Sequence, residues 1–306
     1  MRLRAVITNG HPMAQAPPGR PLQLEGEPYG IILCMRHPLL TVLARLAERV
    51  LGRARLAKLA RLVTNEVRLD VANDLRTNGE AAVQRVALKE ASPVVLDVGA
   101  HFGEWSSSLL SMSTGTLVLH VFEPSTHSAT RARQALGGRG EVHQVAMSNE
   151  PGSGLLLVVH EGAGSNSVVP FVDEGKGPAT ASEEISLDTV DNFCSEHQLR
   201  RVTLLKTDAE GHDLAVLRGA SEMLGSQCID LIQFEYNHRW IDARVFLLDA
   251  FLLLQSYGYR VGKVTPRGVE TYARWHPELE KFVEGNYLAY LPEREVDLEV
   301  VPWWGG

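Results

Sequence analysis

The stretch from Val94 to Leu110, VVLDVGAHFGEWSSSLL, decides the fold. Val94, Val95, Leu96 and Val98 make a continuous, largely β-branched apolar run of the kind found in a strand buried on both faces. Gly99 to Gly103 then reads as a turn into a helix. Strand, glycine turn and helix in that order form the entry of a nucleotide-binding βαβ unit. Glycines at the turn let the backbone approach a ligand, and the first turn of the helix offers N–H groups with no partner of their own.

What the turn lacks narrows the ligand. A dinucleotide site carries Gly-x-Gly-x-x-Gly and seats a pyrophosphate on the helix dipole. Here only Gly99 and Gly103 are present, and Asp97 sits at the strand end. A carboxylate there repels a pyrophosphate and suits a ligand with a cationic end, such as the amino group of S-adenosylmethionine. The next predicted strand, Leu117 to Phe122, ends in Glu123 and Pro124, where an acidic side chain accepts hydrogen bonds from both hydroxyls of a ribose. Asp97, Gly99, Ala100, His101, Gly103, Glu123 and Pro124 are therefore expected cofactor contacts. The third predicted strand, Glu141 to Ala146, ends where an adenine would lie, which adds Ala146 and Met147; Met147 either packs on the ring or fills core. Asn78 and Glu80 belong to a polar turn, Asn73 to Glu80, before a helix predicted over Ala81 to Lys89. They either line the methionine end of the cofactor or cap that helix.

The chain has 306 residues, 44% of them hydrophobic, enough for one large α/β domain with an appendage. A net charge of −7 and a pI near 5.9 argue against a protein that holds long nucleic acid, and favour a small-molecule partner. Three cysteines, Cys34, Cys194 and Cys228, are odd in number and widely spaced, so they support neither a disulfide framework nor a cysteine zinc cluster. No apolar run is long enough to span a bilayer, and the first ten residues lack the apolar core of a signal peptide. The cytoplasm is the expected location.

Residues 1–72 read as an extension and 73–306 as the main domain. Residues 1–30 are irregular, with Pro17, Pro18, Pro21 and Pro28. From Pro38 to Val63 leucines recur at helical spacing among six basic residues, which predicts an amphipathic helical arm. Packing on the main domain or a homodimer interface is the preferred use of its apolar stripe, ahead of lying on a membrane surface. In the main domain, helices are predicted over Glu104 to Met112 and over Ser125 to Leu136, the latter closed by Gly137 and Gly138. Gly154 to His160 and Asn166 to Val169 read as a hairpin insertion around Glu161 to Gly164. A helix opens at Ser186 and runs to about His197. Strands follow at Val202 to Lys206, Ile229 to Phe234, Tyr259 to Val264 and Asn286 to Leu291, with a long helix over Arg244 to Ser256. Alternation of this kind makes a doubly wound, Rossmann-like parallel sheet.

The turn LDVGAHFG, the Glu123-Pro124 strand end, LDTV at 187–190 and LKTDAEGHD at 205–213 together resemble the FkbM family of S-adenosylmethionine-dependent methyltransferases. The resemblance covers about residues 73–291, and its most specific piece is Lys-x-Asp-x-Glu-Gly-His at Lys206 to His212. It implies a class I methyltransferase sheet of seven strands with the last antiparallel, and methylation of a hydroxyl on a small molecule such as a natural product or sugar.

A sulfonium is already an activated methyl donor, so the protein must align a nucleophile and, for a hydroxyl, help remove its proton. Ligands of an open α/β sheet sit beyond the carboxyl ends of its strands, which places Asp97, Glu123, Asp208 and Glu235 along one edge. Two mechanisms compete. His212, His238 or a carboxylate with a raised pKa acts as general base, or Asp208, Glu235 and Asn237 hold a magnesium ion that acidifies the hydroxyl. N-methylation of a small amine such as an amino sugar, and a non-catalytic nucleotide-binding module, are the alternative functions. A nicotinamide oxidoreductase conflicts with the two-glycine turn.

Overall fold

The computed structural model describes residues 38–71, 73–159, 166–170 and 181–304. By its contacts the chain divides into Met1–Lys58 and Leu59–Gly306. The irregular segment over residues 1–30, Cys34 and the turn from Glu161 to Gly164 lie outside the described residues. The predicted amphipathic arm forms two helices, α1 (Pro38–Leu51) and α2 (Arg53–Val67), separated at Gly52, whose φ of 78° is open to glycine and costly for other residues. Leu39, Leu43, Leu46, Leu59 and Leu62 are exposed, and neither helix has a buried residue. Among the described residues no helix is long and apolar enough to cross a membrane.

Beyond α2 the elements run α3 (Glu80–Ala87), β1 (Val94–Val98), α4 (Glu104–Met112), β2 (Val118–Phe122), α5 (Thr126–Leu136), β3 (Glu141–His143), β4 (Ala146–Met147), β5 (Gly152–Val158) and β6 (Ala181–Asp188). They continue with α6 (Val190–Glu196), β7 (Val202–Thr207), α7 (Asp213–Arg218), α8 (Ser221–Gly225), β8 (Ile229–Tyr236), α9 (Arg239–Asp242) and α10 (Leu247–Ser256). The last are β9 (Arg260–Thr265), β10 (Gly268–Tyr272), β11 (Gly285–Tyr290) and β12 (Val300–Val301). The main sheet has the order β12-β10-β9-β11-β8-β7-β1-β2-β3. Strands β3, β2, β1, β7 and β8 are parallel, and β11 lies antiparallel between β8 and β9. The sheet thus has nine strands where seven were expected. The two extra are β10, folded back on β9 across Pro266 and Arg267, and the short β12. Proline followed by Gly268 at φ 121° is a hairpin signal, but the run after it is only five residues long.

Register explains why the central strands read as unbroken apolar runs. Leu96, Leu205 and Ile232 stand abreast and belong to one apolar cluster with Leu217, Phe251 and Leu254 of the helices. Val95, Leu204 and Leu231, one residue earlier, face the opposite way into a second cluster with Val83, Trp105 and Leu109. Successive side chains alternate faces, so a strand covered by helices on both sides is mostly apolar, with its polar residues paired or turned to the site.

The insertion differs most from the sequence reading. Glu141 to Ala146 is not one strand: β3 stays in the main sheet, and β4 joins a separate three-stranded sheet of order β4-β6-β5. The partner of β5 is β6, paired antiparallel along its whole length, whereas the segment at Asn166 to Val169 contributes a single bridge from Ser167 to Leu157. In β6 only Ile185 is buried, and its glutamates give little strand signal. The helix read from Ser186 begins at Val190, capped by Thr189, whose side chain accepts from Asn192 N–H at 3.0 Å.

Candidate active site

Two cavities open beyond the carboxyl ends of the parallel strands and meet at Gly99, His101, Asp208 and Glu210. Their shared wall is built by close backbone approach. A Cβ on Gly99 would stand 1.9 Å from the Asp208 carbonyl oxygen, so only glycine lets the β1 and β7 loops touch. His101 and Glu210, one in each loop, have φ of 52° and 50°, a left-handed conformation that costs non-glycine residues energy and concentrates at functional sites. Asp213 holds the β7 loop in shape. One of its oxygens accepts from Thr207 Oγ1 at 2.9 Å and Ala209 N–H at 3.0 Å, the other from Gly211 N–H at 3.3 Å. Burial, then the charge of Asp208, pushes its pKa up to about 6.

The first cavity has the largely apolar lining of a small-ligand site. Phe122, Val145, Ala146 and Met147 form much of its wall, with Glu123, Pro124 and His212. Glu123 is buried and accepts backbone N–H groups of His101 (2.8 Å) and Ser125 (2.9 Å), one on each oxygen. Each oxygen keeps lone pairs for a further donor, so the carboxylate can still take ribose hydroxyls. Burial outweighs those two hydrogen bonds and raises its pKa to about 7. His212 lies here too, its Nε2 3.0 Å from Ser148 Oγ, and burial lowers its pKa.

The second cavity, about 1140 Å³, is acidic. Glu80, Asp208, Glu210, Glu235 and Glu284 line it, against Lys206 and Arg239, and Asn237 and His238 complete its far side. Glu235 is buried. Asn73 Nδ2 donates to one of its oxygens at 3.1 Å and Asn237 Nδ2 to the other at 2.6 Å. Burial, then the charges of Asp208 and Glu210, raises its pKa well above the usual carboxylate range. Glu80 is held by Asn78 Nδ2 (2.6 Å) and Gln233 Nε2 (2.5 Å), and burial, opposed by Lys206, raises its pKa as well. Asp208 is partly exposed, its side chain 31% accessible, where Glu80 and Glu235 are buried.

Three expected contacts line neither cavity. Asp97 is fully buried, one oxygen accepting from Ser106 Oγ at 2.6 Å and the other 3.4 Å from Lys206 Nζ. Its charge is met by Lys206, whereas Glu80 lines the second cavity. Gly103 is the left-handed N-cap of α4 and packs on Ala132, and Asn78 stands behind Glu80. Lys206 is the functional residue that the sequence reading left without a role. Burial opposes its charge, but Asp97, Asp208, Glu80 and Glu235 surround it and raise its pKa, so it stays an ammonium. Its place in the quoted Lys-x-Asp-x-Glu-Gly-His segment, at the end of a strand otherwise apolar, is the signal that could have found it.

The donors do not fit magnesium. Asn237 turns its amide N–H toward Glu235 and its oxygen to Arg239 N–H at 2.8 Å, so it offers no ligand atom beside Glu235. Lys206 Nζ, 3.4 Å from Asp208, already supplies the positive charge a cation would bring.

A mixed sheet whose parallel strands are joined by β11 running antiparallel between β8 and β9, a two-glycine turn after its first strand and a strand-end acid on the second define the class I methyltransferase architecture. The Methyltransferase FkbM domain matches residues 97–261, more than half of the chain, and the chain belongs to that family of S-adenosylmethionine-dependent methyltransferases. It is 28% identical over 199 residues to the 2-O-methyltransferase NoeI of Sinorhizobium fredii, a match covering 60% of this chain and 79% of that protein. The crystal structure of Methyltransferase FkbM from Methylobacillus flagellatus is 18% identical with a TM-score of 0.44, covering 65% of this chain and 44% of that longer one. The O-methyltransferase from Bacillus cereus, solved with SAH, is 10% identical with a TM-score of 0.37, covering 81% of this chain and 97% of that one.

Proposed function

We propose that the chain is an O-methyltransferase acting on a hydroxyl of a small polar molecule, with the nucleoside of S-adenosylmethionine in the first cavity and the acceptor in the second. When bound, S-adenosylmethionine supplies a methyl group activated by its sulfonium. Met147 and Phe122 offer apolar contact to the adenine, Glu123 accepts from the ribose, and Glu80 faces the amino group of the methionyl end. The observation that carries the reading is the place of Asp208, at the meeting of the two cavities, exposed enough to reach an acceptor and held beside the Lys206 ammonium. As the bond from acceptor oxygen to methyl forms and the bond from methyl to sulfur breaks, Asp208 receives the hydroxyl proton. Glu235, whose pKa burial raises, orients the acceptor as a hydrogen-bonding group. The 2-O specificity named for the Sinorhizobium relative supports a hydroxyl acceptor, and an acid-lined cavity offers many acceptors to a sugar's hydroxyls.

The same acids would also draw a protonated amine, which keeps N-methylation of an amino sugar as the second reading. Incubation with methyl-labelled cofactor and a panel of polyols, sugars and amino sugars, with the methylated atom located by NMR, tests both. Label on oxygen is the expected result, and label confined to nitrogen overturns the reading.

A further inference from the structure

The outer edge of the main sheet carries three histidines and a glutamate that neither cavity uses. The parallel register of β2 and β3 sets His120 opposite Glu141 and Phe122 opposite His143. His197, the residue that ends α6, comes in from the helix side. His120 Nδ1 lies 3.2 Å from His143 Nε2 and 3.4 Å from Glu141 Oε2, and the last two atoms are 4.0 Å apart. His120, Glu141 and His197 each offer a ligand atom, all within 4.8 Å of one another. Donors on a tetrahedral zinc, with bonds of about 2.0–2.2 Å, stand about 3.3–3.5 Å apart. His120 Nδ1 already stands at about that distance from His143 Nε2 and Glu141 Oε2, and His197 has to draw closer to complete the set.

We propose that His120, Glu141, His143 and His197 form a binding site for a zinc-type divalent cation, separate from the methyl-transfer site, that fastens the sheet's outer edge to the end of α6. Imidazole with one carboxylate suits zinc and neighbouring first-row ions, and does not suit magnesium. The rings are held for the purpose. Phe193 stacks on His197 at 4.1 Å between centroids and meets His120 and His143 edge-on at 5.1 and 4.9 Å. His120 is buried, while Glu141 and His197 are exposed and leave the ion a path in. The competing account is an aromatic cluster with one hydrogen bond between His120 and His143.

The test uses the untagged full-length chain, stripped with chelator and desalted, and titrated calorimetrically with Zn²⁺ alone. One equivalent should bind and raise the melting temperature, and Co²⁺ in its place should show the intense visible absorption of four-coordinate cobalt. Glu141→Gln and His197→Ala alter exposed side chains, and each should weaken Zn²⁺ binding by about tenfold or more, as loss of a ligand does, with an unchanged circular dichroism spectrum. The absence of stoichiometric binding to the wild-type chain, or equal affinity in the double variant, overturns the proposal.

Discussion

The two cavities that meet at Asp208 are built by different means. The first is made by the backbone: a glycine turn, a strand end, two N–H groups that fix Glu123, and an apolar wall for a flat ring. The second is made by side chains, and its carboxylates come from segments as far apart in the chain as Glu80, Asp208, Glu235 and Glu284. A family of methyltransferases can keep the first constant and change its acceptor by changing the second. The difference predicts that variants should separate into those that damage turnover and those that damage cofactor binding.

The largest effect is expected at the junction. Asp208→Asn keeps the shape of the loop and removes the proton acceptor, so kcat should fall by about a hundredfold or more while the Kd for S-adenosylhomocysteine moves by less than about threefold. An Asn variant with normal kcat would show that alignment alone drives the transfer. Glu123→Gln should do the reverse. Losing the charge that accepts the ribose hydroxyls should weaken S-adenosylhomocysteine by about 1.5–3 kcal/mol, roughly ten- to a hundredfold, with kcat at saturating cofactor little changed. Isothermal titration of both variants measures the contrast, and equal loss of affinity in the two would erase it.

Legibility in the sequence divides along the same line. Gly99, Glu123 and Met147 could be placed because each sits at the end of a strand, and strand ends in a parallel sheet face one edge. The strands at Val94 to Val98 and Ile229 to Phe234 were readable because both faces are buried and most of their side chains are apolar. The burial of Asp97 was not legible because its charge partner, Lys206, is more than a hundred residues away, and no local pattern shows a buried ion pair. The partner of β5 was hidden for a like reason. Strand β6 buries one apolar side chain, so its pairing is set by tertiary contact more than by its own residues.

The pH dependence of cofactor binding sharpens the view of the first cavity. Glu123 has its pKa raised from 4.5 to about 7, so in the empty protein it is protonated below that pH. The ribose hydroxyls need the ionised form as acceptor, so affinity for S-adenosylhomocysteine should fall by about tenfold from pH 8 to pH 6. The folding linkage has the opposite direction. A carboxyl with a raised pKa binds more protons in the folded state, so its contribution to stability is present below about 4.5 and is lost as pH rises through about 7. Bound cofactor should offset that loss, and melting curves with and without S-adenosylhomocysteine should diverge as pH increases. In Glu123→Gln both trends should vanish; a tenfold pH effect that survives there belongs to another group.

The smallest effect is expected at His212, although a histidine beside a methyl-transfer site is the natural suspect for a base. Its ring lines the first cavity with Met147, its Nε2 is engaged by Ser148 Oγ at 3.0 Å, and it does not line the cavity of Glu235 and His238. It also precedes α7 as the N-cap residue, with Ala215 N–H bonded to its carbonyl at 3.0 Å, an interaction the backbone keeps whatever the side chain. His212→Ala should therefore leave kcat within about threefold and raise the KM for S-adenosylmethionine by a similar factor, through lost packing in the nucleoside cavity. Because His212 stands apart from the acid-lined cavity where the proton moves, the pH–rate profile of the wild type should be kept in the variant. A hundredfold fall in kcat, together with a change in the pH–rate profile, would put the proton acceptor on the nucleoside side and dissolve the division of labour between the two cavities.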